Sequence, residues 1–131
     1  MIETITHSGR LLCYLITADH TVSKTEFVTP EEANFQVGFI SYPAGSEIPR
    51  HVHKPLDRAL IGTSEVLFIR KGTCEIDIYT TEKELVTTRT LHCGDMVVLL
   101  DCGHGFRLQE DTIIMEIKQG PYTGLDEKER F

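Results

Sequence analysis

The sequence has few basic residues and no long hydrophobic run. It contains 13 Lys and Arg residues against 20 Asp and Glu residues, so its net charge at pH 7 is -7. A protein that binds nucleic acid or an anionic membrane needs an extended basic face, and this balance argues against both partners. A small anionic ligand held by a few local cations remains compatible with it. No stretch approaches the roughly 20 consecutive apolar residues of a membrane-spanning helix, and the start of the chain lacks the pattern of a secretory signal.

Cysteine is scarce and shows no pairing pattern. The four cysteines, Cys13, Cys74, Cys93 and Cys102, are scattered and form no Cys-x-x-Cys motif. This density is too low for a disulfide framework. We therefore expect reduced thiols and a cytoplasmic protein.

The length of 131 residues is sufficient for one domain with a single hydrophobic core. We expect one domain over residues 1–131, in which residues 1–33 supply N-terminal outer strands, residues 34–118 form the barrel core and residues 119–131 form a polar C-terminal tail. The sequence leaves open whether this tail lies in solvent or packs across a neighbouring subunit.

Helical periodicity is almost absent, and short strand-like segments separated by turn residues follow one another along the chain. The predicted strands are 34–42, 63–70, 73–80, 85–91, 95–100, 104–110 and 112–118, with candidate outer strands at 10–17 and 26–28. Many short strands at this spacing predict an all-β sandwich or barrel.

Two histidines lie one strand step apart, in the run Pro49-Arg50-His51-Val52-His53. On an extended strand, residues two apart point to the same side, so His51 and His53 present two imidazoles to one face. Such a pair can chelate a borderline divalent metal. An isolated pair of this kind is more often simply exposed on the surface, so the neighbouring residues decide between the two interpretations.

A carboxylate and a third imidazole occur on strands whose other residues are apolar. Alternation along these strands predicts one inward-facing set: Glu65, Leu67, Ile69, His104, Phe106 and Leu108. Glu116 alternates with Met115 and Ile117, which predicts that Glu116 faces outward. A carboxylate or an imidazole among apolar side chains is costly unless it is paired or ligated. A metal ion bound by Glu65 and His104 would remove that cost.

Together these residues resemble the two motifs of the cupin family. The first motif is a glycine, five residues, His-x-His, a gap, a glutamate, six residues and a glycine, and Gly45, His51, His53, Glu65 and Gly72 follow in that order. The gap between His53 and Glu65 is 11 residues, longer than is usual in the family. A second carboxylate, that of Asp57, lies at the more usual distance and is the rival of Glu65.

The second motif of the family is a glycine followed by a proline-containing turn and a third histidine. Gly94 to His104 resembles it, with Leu100-Asp101-Cys102 in place of the proline turn. The resemblance extends from Gln36 to Lys118, which is most of the chain. It implies a single-domain cupin, whose fold is a double-stranded β-helix, or jelly-roll barrel.

The resemblance also implies a metal site and a type of assembly. The implied ligands are His51, His53, Glu65 and His104, which suit one divalent transition metal among Fe, Mn, Ni, Zn and Cu. Four protein ligands leave positions for water or substrate around a six-coordinate ion. Single-domain cupins commonly dimerise, so a homodimer is the expected assembly.

The function implied by the resemblance is a metal-dependent enzyme that acts on a small molecule. The run from His51 to Lys54 also resembles that of cupin-type nucleotide-sugar ketoisomerases, in which histidines act as acid and base without a metal. We therefore expect a sugar or nucleotide sugar as substrate and an isomerase or epimerase reaction, with decarboxylation and oxygen insertion left open. The alternative is a non-catalytic, metal-containing cupin module that only binds a ligand.

Five basic residues lie close in sequence to the expected mouth of the barrel: Arg50, Lys54, Arg58, Arg70 and Lys71. We interpret them as solubilising surface charge, because Lys and Arg are mostly exposed. The alternative is a clamp for a carboxylate or phosphate group of the ligand.

Overall fold

The computed structural model describes residues 1–120 and 128–131. The described residues form ten β-strands. These are β1 (Ile2–His7), β2 (Arg10–Ile16), β3 (Glu26–Phe27), β4 (Gly38–Phe39), β5 (Glu65–Lys71), β6 (Thr73–Tyr79), β7 (Leu85–His92), β8 (Met96–Leu99), β9 (Gly103–Leu108) and β10 (Ile113–Lys118). Among the described residues there is no helix with the length and apolar character that crossing a membrane requires. The predicted all-β class is confirmed.

The chain divides into two compact units. One unit consists of Met1–His20 together with Thr63–Phe131, and it contains β1, β2 and β5 to β10. The other unit, Thr21–Gly62, contains β3 and β4. The assignment of residues 1–131 to one domain with outer strands, core and tail stays a prediction, and residues 121–127 of that tail lie outside the described residues.

The first unit consists of two antiparallel sheets with a common core. The larger sheet has the strand order β1-β2-β8-β5-β10 and the smaller sheet the order β7-β6-β9. Buried apolar side chains from both sheets form a single cluster that includes Cys13, Leu67, Val97, Ile76 and Leu91. This arrangement is consistent with a β-sandwich, in which each sheet covers the apolar face of the other.

Alternation along β6 places its apolar and its polar side chains on opposite faces of the sheet. Cys74, Ile76 and Ile78 are fully buried in the core cluster. On the other face the Asp77 carboxylate is also buried, and it accepts hydrogen bonds from Arg107 of β9 and from the hydroxyl of Thr88 of β7. Each buried carboxylate oxygen of Asp77 therefore has a donor, which offsets its loss of hydration.

In the second unit, the predicted strand over residues 34–42 is too long. Only Gly38–Phe39 pairs, with Glu26–Phe27 as its partner. On either side of this short ladder, threonine hydroxyls take the place of backbone carbonyls as acceptors. The amide of Val37 donates to Oγ1 of Thr29 at 2.9 Å, and the amide of Ser41 donates to Oγ1 of Thr25 at 3.1 Å. These local side-chain bonds compete with a longer ladder.

The Asp77 network provides a test of the fold. Its hydrogen bonds with Arg107 and Thr88 hold the pKa of Asp77 below its usual value. We expect Asp77→Asn to lower the free energy of unfolding at pH 7 by about 2 kcal/mol, because the charge-assisted bonds to Arg107 are lost. A carboxylate whose pKa is lowered by folding stabilises the folded protein fully at pH values above its unfolded-state pKa of about 4. This stabilisation is lost as the pH falls through the folded-state pKa. The difference between variant and wild type should therefore shrink below about pH 4.

Urea unfolding between pH 7 and pH 3 measures this effect. Glu75→Gln is the matched control, because Glu75 also pairs with Arg107 at 3.1 Å but its side chain is 33% exposed. The control should lose less than about 1 kcal/mol at pH 7. An Asp77→Asn loss that is the same at pH 7 and pH 3 would contradict the role given to the ionised carboxylate.

Candidate metal site

Glu65 is the first residue of β5, and the sheet holds it on both sides. It lies opposite Leu99 of β8 and opposite Lys118 of β10. Its side chain is 8% exposed, and the next residues on the same face, Leu67 and Ile69, are buried in the core cluster. The predicted inward orientation of Glu65 is confirmed.

His104 lies on β9 of the smaller sheet, opposite Ile78 of β6. Its Nε2 atom is 3.3 Å from Oε2 of Glu65, so the two sheets bring this carboxylate and this imidazole together. Phe106, on the same face of β9, packs against the core cluster as predicted. The prediction for Leu108 is wrong, since 59% of its surface is exposed. Leu108 is the last residue of an edge strand, where the core cluster no longer covers it.

The Glu65 carboxylate has an oxygen that is buried without a hydrogen-bond donor. Oε2 is inaccessible to solvent and accepts no hydrogen bond from any described group. The His104 nitrogen is close, but it does not make a hydrogen bond to this oxygen. An ionised carboxylate in this state has lost hydration with only the nearby His104 imidazole to offset it, and a cation bound to Oε2 would compensate more fully.

The environment of His104 favours its neutral form. Burial lowers the pKa of His104, and this effect is opposed by the negative charges of Glu65 and Glu116 and assisted by the positive charge of Lys128. Because the net change is downward from an ordinary value near 6.5, the imidazole is neutral at pH 7 and keeps a lone pair for a metal. A neutral imidazole next to a carboxylate is a donor pair for a divalent transition metal.

Sequence reasoning missed the influence of Glu116. The side chain is exposed, but the prediction that Glu116 is on the outward face is wrong. Glu116 lies opposite Leu67 in the β5–β10 ladder, and residues opposite each other point to the same face of a sheet. Glu116 therefore lies on the Glu65 face, where its charge acts on His104. The pairing of β10 with β5 was the missing information, because alternation alone does not say which face is inward.

His51 and His53 belong to the second unit, in a segment without regular secondary structure. Both are exposed, and their ring centroids are 5.3 Å apart. Nδ1 of His51 is 2.9 Å from the carbonyl oxygen of Pro49. A proton on Nδ1 would donate to this carbonyl and leave Nε2 as the metal-binding atom. The rival carboxylate, Asp57, is exposed, whereas Glu65 is buried beside an imidazole.

The described residues contain no group of three or more His, Cys, Asp or Glu side chains placed to hold a metal ion. Glu65 and His104 are in the first unit, and His51 and His53 are in the second. The convergence of all four residues on one ion therefore stays a prediction.

A cavity of about 750 Å³ opens beside the pair in the first unit, and both Glu65 and His104 line it. Its walls also include Tyr79, Leu99 and Cys102. This volume is within the range of sites that hold small organic molecules.

Comparison of the chain with protein families, with curated proteins and with solved structures gives no match. The likeness to cupins thus rests on the motif residues alone.

Because one oxygen of Glu65 has no donor, we expect that removing the charge of this buried residue does not destabilise the protein when no metal is bound. In protein treated with a chelator, Glu65→Gln should leave the melting temperature unchanged or raise it by a few degrees, because an amide replaces a buried charge. A divalent metal in excess should raise the melting temperature of the wild type but not that of the variant, because a ligand that binds only the folded state stabilises it. Differential scanning calorimetry with and without metal measures both effects.

Asp77→Asn is the control, because it also neutralises a buried carboxylate of the same unit, but one that has donors. It should lower the melting temperature with or without metal and keep the metal-dependent rise. A marked loss of stability in chelator-treated Glu65→Gln would give Glu65 a structural role instead.

Proposed function

We propose that the protein is a cupin-type, metal-dependent enzyme that acts on a small molecule. The observation that carries this proposal is the buried Oε2 atom of Glu65, which lacks a hydrogen-bond donor and lies beside the His104 imidazole, in a residue that lines a cavity. The antiparallel sheets of the first unit support the jelly-roll barrel as the finer form of the fold.

The proposed donors are Glu65 and His104, joined by His51 and His53 as the motif resemblance implies. Imidazole and carboxylate groups suit Fe, Mn, Ni, Zn or Cu in the divalent state. A divalent ion in this place would supply Lewis-acid polarisation of a substrate oxygen. Glu65 contributes the negative charge, and the apolar residues around its side chain exclude water. The lowered pKa of His104 keeps this residue unprotonated at neutral pH.

The proposed reaction is isomerisation or epimerisation of a sugar or nucleotide sugar. This chemistry moves a proton between neighbouring carbon atoms, which requires groups that can accept and release a proton. If the protein functions without a metal, His51 and His53 are the proposed acid and base, because imidazole serves in both roles near neutral pH. The alternative proposal is a metal-containing module that binds a ligand without turnover.

We further propose that the protein functions in the cytoplasm as a homodimer. All four cysteines are free, which supports a reducing compartment. The outer face of the edge strand β10 supports self-association, because Ile113, Met115 and Ile117 are each at least half exposed, at 57%, 50% and 55%. Adjacent exposed apolar side chains favour a covered interface.

Elemental analysis tests the metal proposal. We expect about one divalent metal ion per chain in the wild type. Metal affinity should fall by at least about tenfold in each variant that removes a proposed ligand. These variants are Glu65→Gln, His104→Ala, His51→Ala and His53→Ala. His92→Ala is the control, since His92 is exposed on β7 and should keep the full content. Loss in the first two variants only would restrict the ligands to Glu65 and His104. Equal content in all proteins would contradict the metal site.

Turnover distinguishes the enzyme from the binding module. Metal-loaded and chelator-treated protein are incubated with 4-keto nucleotide sugars in deuterated water, and the products are analysed by NMR. We expect a positional or stereochemical isomer that carries solvent deuterium, because an enolic intermediate exchanges its proton. His92→Ala should retain this activity. The absence of any conversion in both preparations would contradict sugar isomerisation and favour the binding module.

A further inference from the structure

We infer that the cavity beside Glu65 and His104 binds a small organic anion, a carboxylate or phosphate ester, and that Arg130 holds its negative group. This inference rests on the proposed function for the identity of the site, and it adds the class of ligand. Three features of the first unit carry it: the anchored end of the chain, the charges along the cavity and its apolar wall.

The last described segment, Lys128–Phe131, is anchored on the first unit by its aromatic residue. The Phe131 ring packs edge to face against Tyr79, with 5.1 Å between the ring centroids. The ammonium group of Lys83 lies 5.7 Å from the centroid of the Phe131 ring. The ring also lies against Gly103, where an added Cβ atom would be 3.4 Å from it. These contacts position Lys128–Phe131 along the wall of the cavity.

Side chains of both signs line this wall. Among the described residues, the basic side chains are those of Lys83, Lys128 and Arg130, and the acidic ones are those of Glu65 and Glu129. The Glu129 carboxylate forms an ion pair with Lys83 at 2.5 Å, so these two charges offset each other. Arg130 forms no ion pair with any residue that the structure describes. The positive charge of Lys128 is close enough to His104 to lower its pKa.

The guanidinium group of Arg130 is thus a charged donor without an ion-pair partner among the described residues. A guanidinium group matches carboxylate and phosphate oxygens in a two-bond geometry. A divalent cation at Glu65 and His104 would add to the attraction of Arg130 for an anion.

The remaining wall of the cavity is apolar and aromatic. Leu99, Leu100, Tyr79 and Phe131 line it. These side chains provide contacts for a carbon skeleton or a ring, which inorganic phosphate does not have. The combined chemistry therefore favours an organic anion over a simple inorganic ion.

Isothermal titration calorimetry with benzoate and benzamide tests the inference, because the two probes have similar shape and differ in charge. We expect benzoate to bind at least about tenfold more tightly than benzamide, as charge-assisted hydrogen bonds contribute roughly 1.5–3 kcal/mol. Inorganic phosphate, which lacks an apolar part, should bind more weakly than phenyl phosphate. Arg130→Gln should weaken benzoate binding about fivefold to tenfold and leave benzamide binding unchanged.

Arg70→Gln is the matched control, since it removes the same charge from an exposed arginine that packs over the Phe68 ring and does not line the cavity. It should leave benzoate affinity unchanged. Equal weakening by both substitutions would indicate a general charge effect and overturn the inference, as would equal affinity for benzoate and benzamide.

Metal content separates this inference from the proposed function. Each titration is run on chelator-treated and metal-loaded protein, and metal is quantified in every sample. Arg130-dependent benzoate binding without any bound metal would support the anion site while the metal proposal fails. Full metal content without a preference for benzoate would leave the metal site standing and overturn the anion site.

Discussion

A buried carboxylate raises the free energy of a folded protein unless donors or a cation replace its water. The described residues of the first unit include three buried acidic residues, Glu65, Asp77 and Asp95. Asp77 accepts hydrogen bonds from Arg107 and Thr88, and Asp95 accepts them from two backbone amides. Only Glu65 among these three has an oxygen without a donor, and this residue lines the cavity. The carboxylates of Asp77 and Asp95 therefore have hydrogen-bond donors, whereas the Glu65 carboxylate beside the His104 imidazole has an oxygen without one.

The hydrophobic pattern of β5 explains how the strand keeps Glu65 inward despite that cost. Side chains alternate between faces, so a shift that exposed Glu65 would also expose Leu67 and Ile69. Both leucine and isoleucine belong to the core cluster, and burial of each contributes roughly 1.5–3 kcal/mol. Pairing with β8 on one side and β10 on the other fixes the register. The apolar residues of the strand thus hold the carboxylate in place.

Alternation made much of the first unit predictable from sequence. The segments 63–70, 73–80 and 85–91 correspond closely to β5, β6 and β7, because each alternates or is bounded by turn residues. The apolar neighbours of Glu65 and His104 predicted their inward orientation. β1 was missed, since Ile5 is its only buried residue and its pattern is weak.

Other features depend on contacts between distant residues, which a single sequence does not contain. The tail was expected either in solvent or on a neighbouring subunit, yet Phe131 packs on Tyr79 of its own unit. Nothing in the polar sequence around Phe131 identifies that partner. Likewise, the position of Glu116 on the Glu65 face follows from the β10–β5 register. Pairing partners and register, more than strand existence, limited the prediction of the site.

The basic residues that line the cavity bear on both proposed ligands, the metal ion and the organic anion. Lys128 opposes protonation of His104, and a neutral imidazole is the form that binds a metal. In the proposed anion site, Arg130 would attract an anionic ligand into the same cavity. A ligand anion would in turn offset the repulsion between these basic groups and a bound cation. The two proposed ligands would therefore assist each other, because a bound anion would reduce the electrostatic cost of placing a cation beside these basic residues.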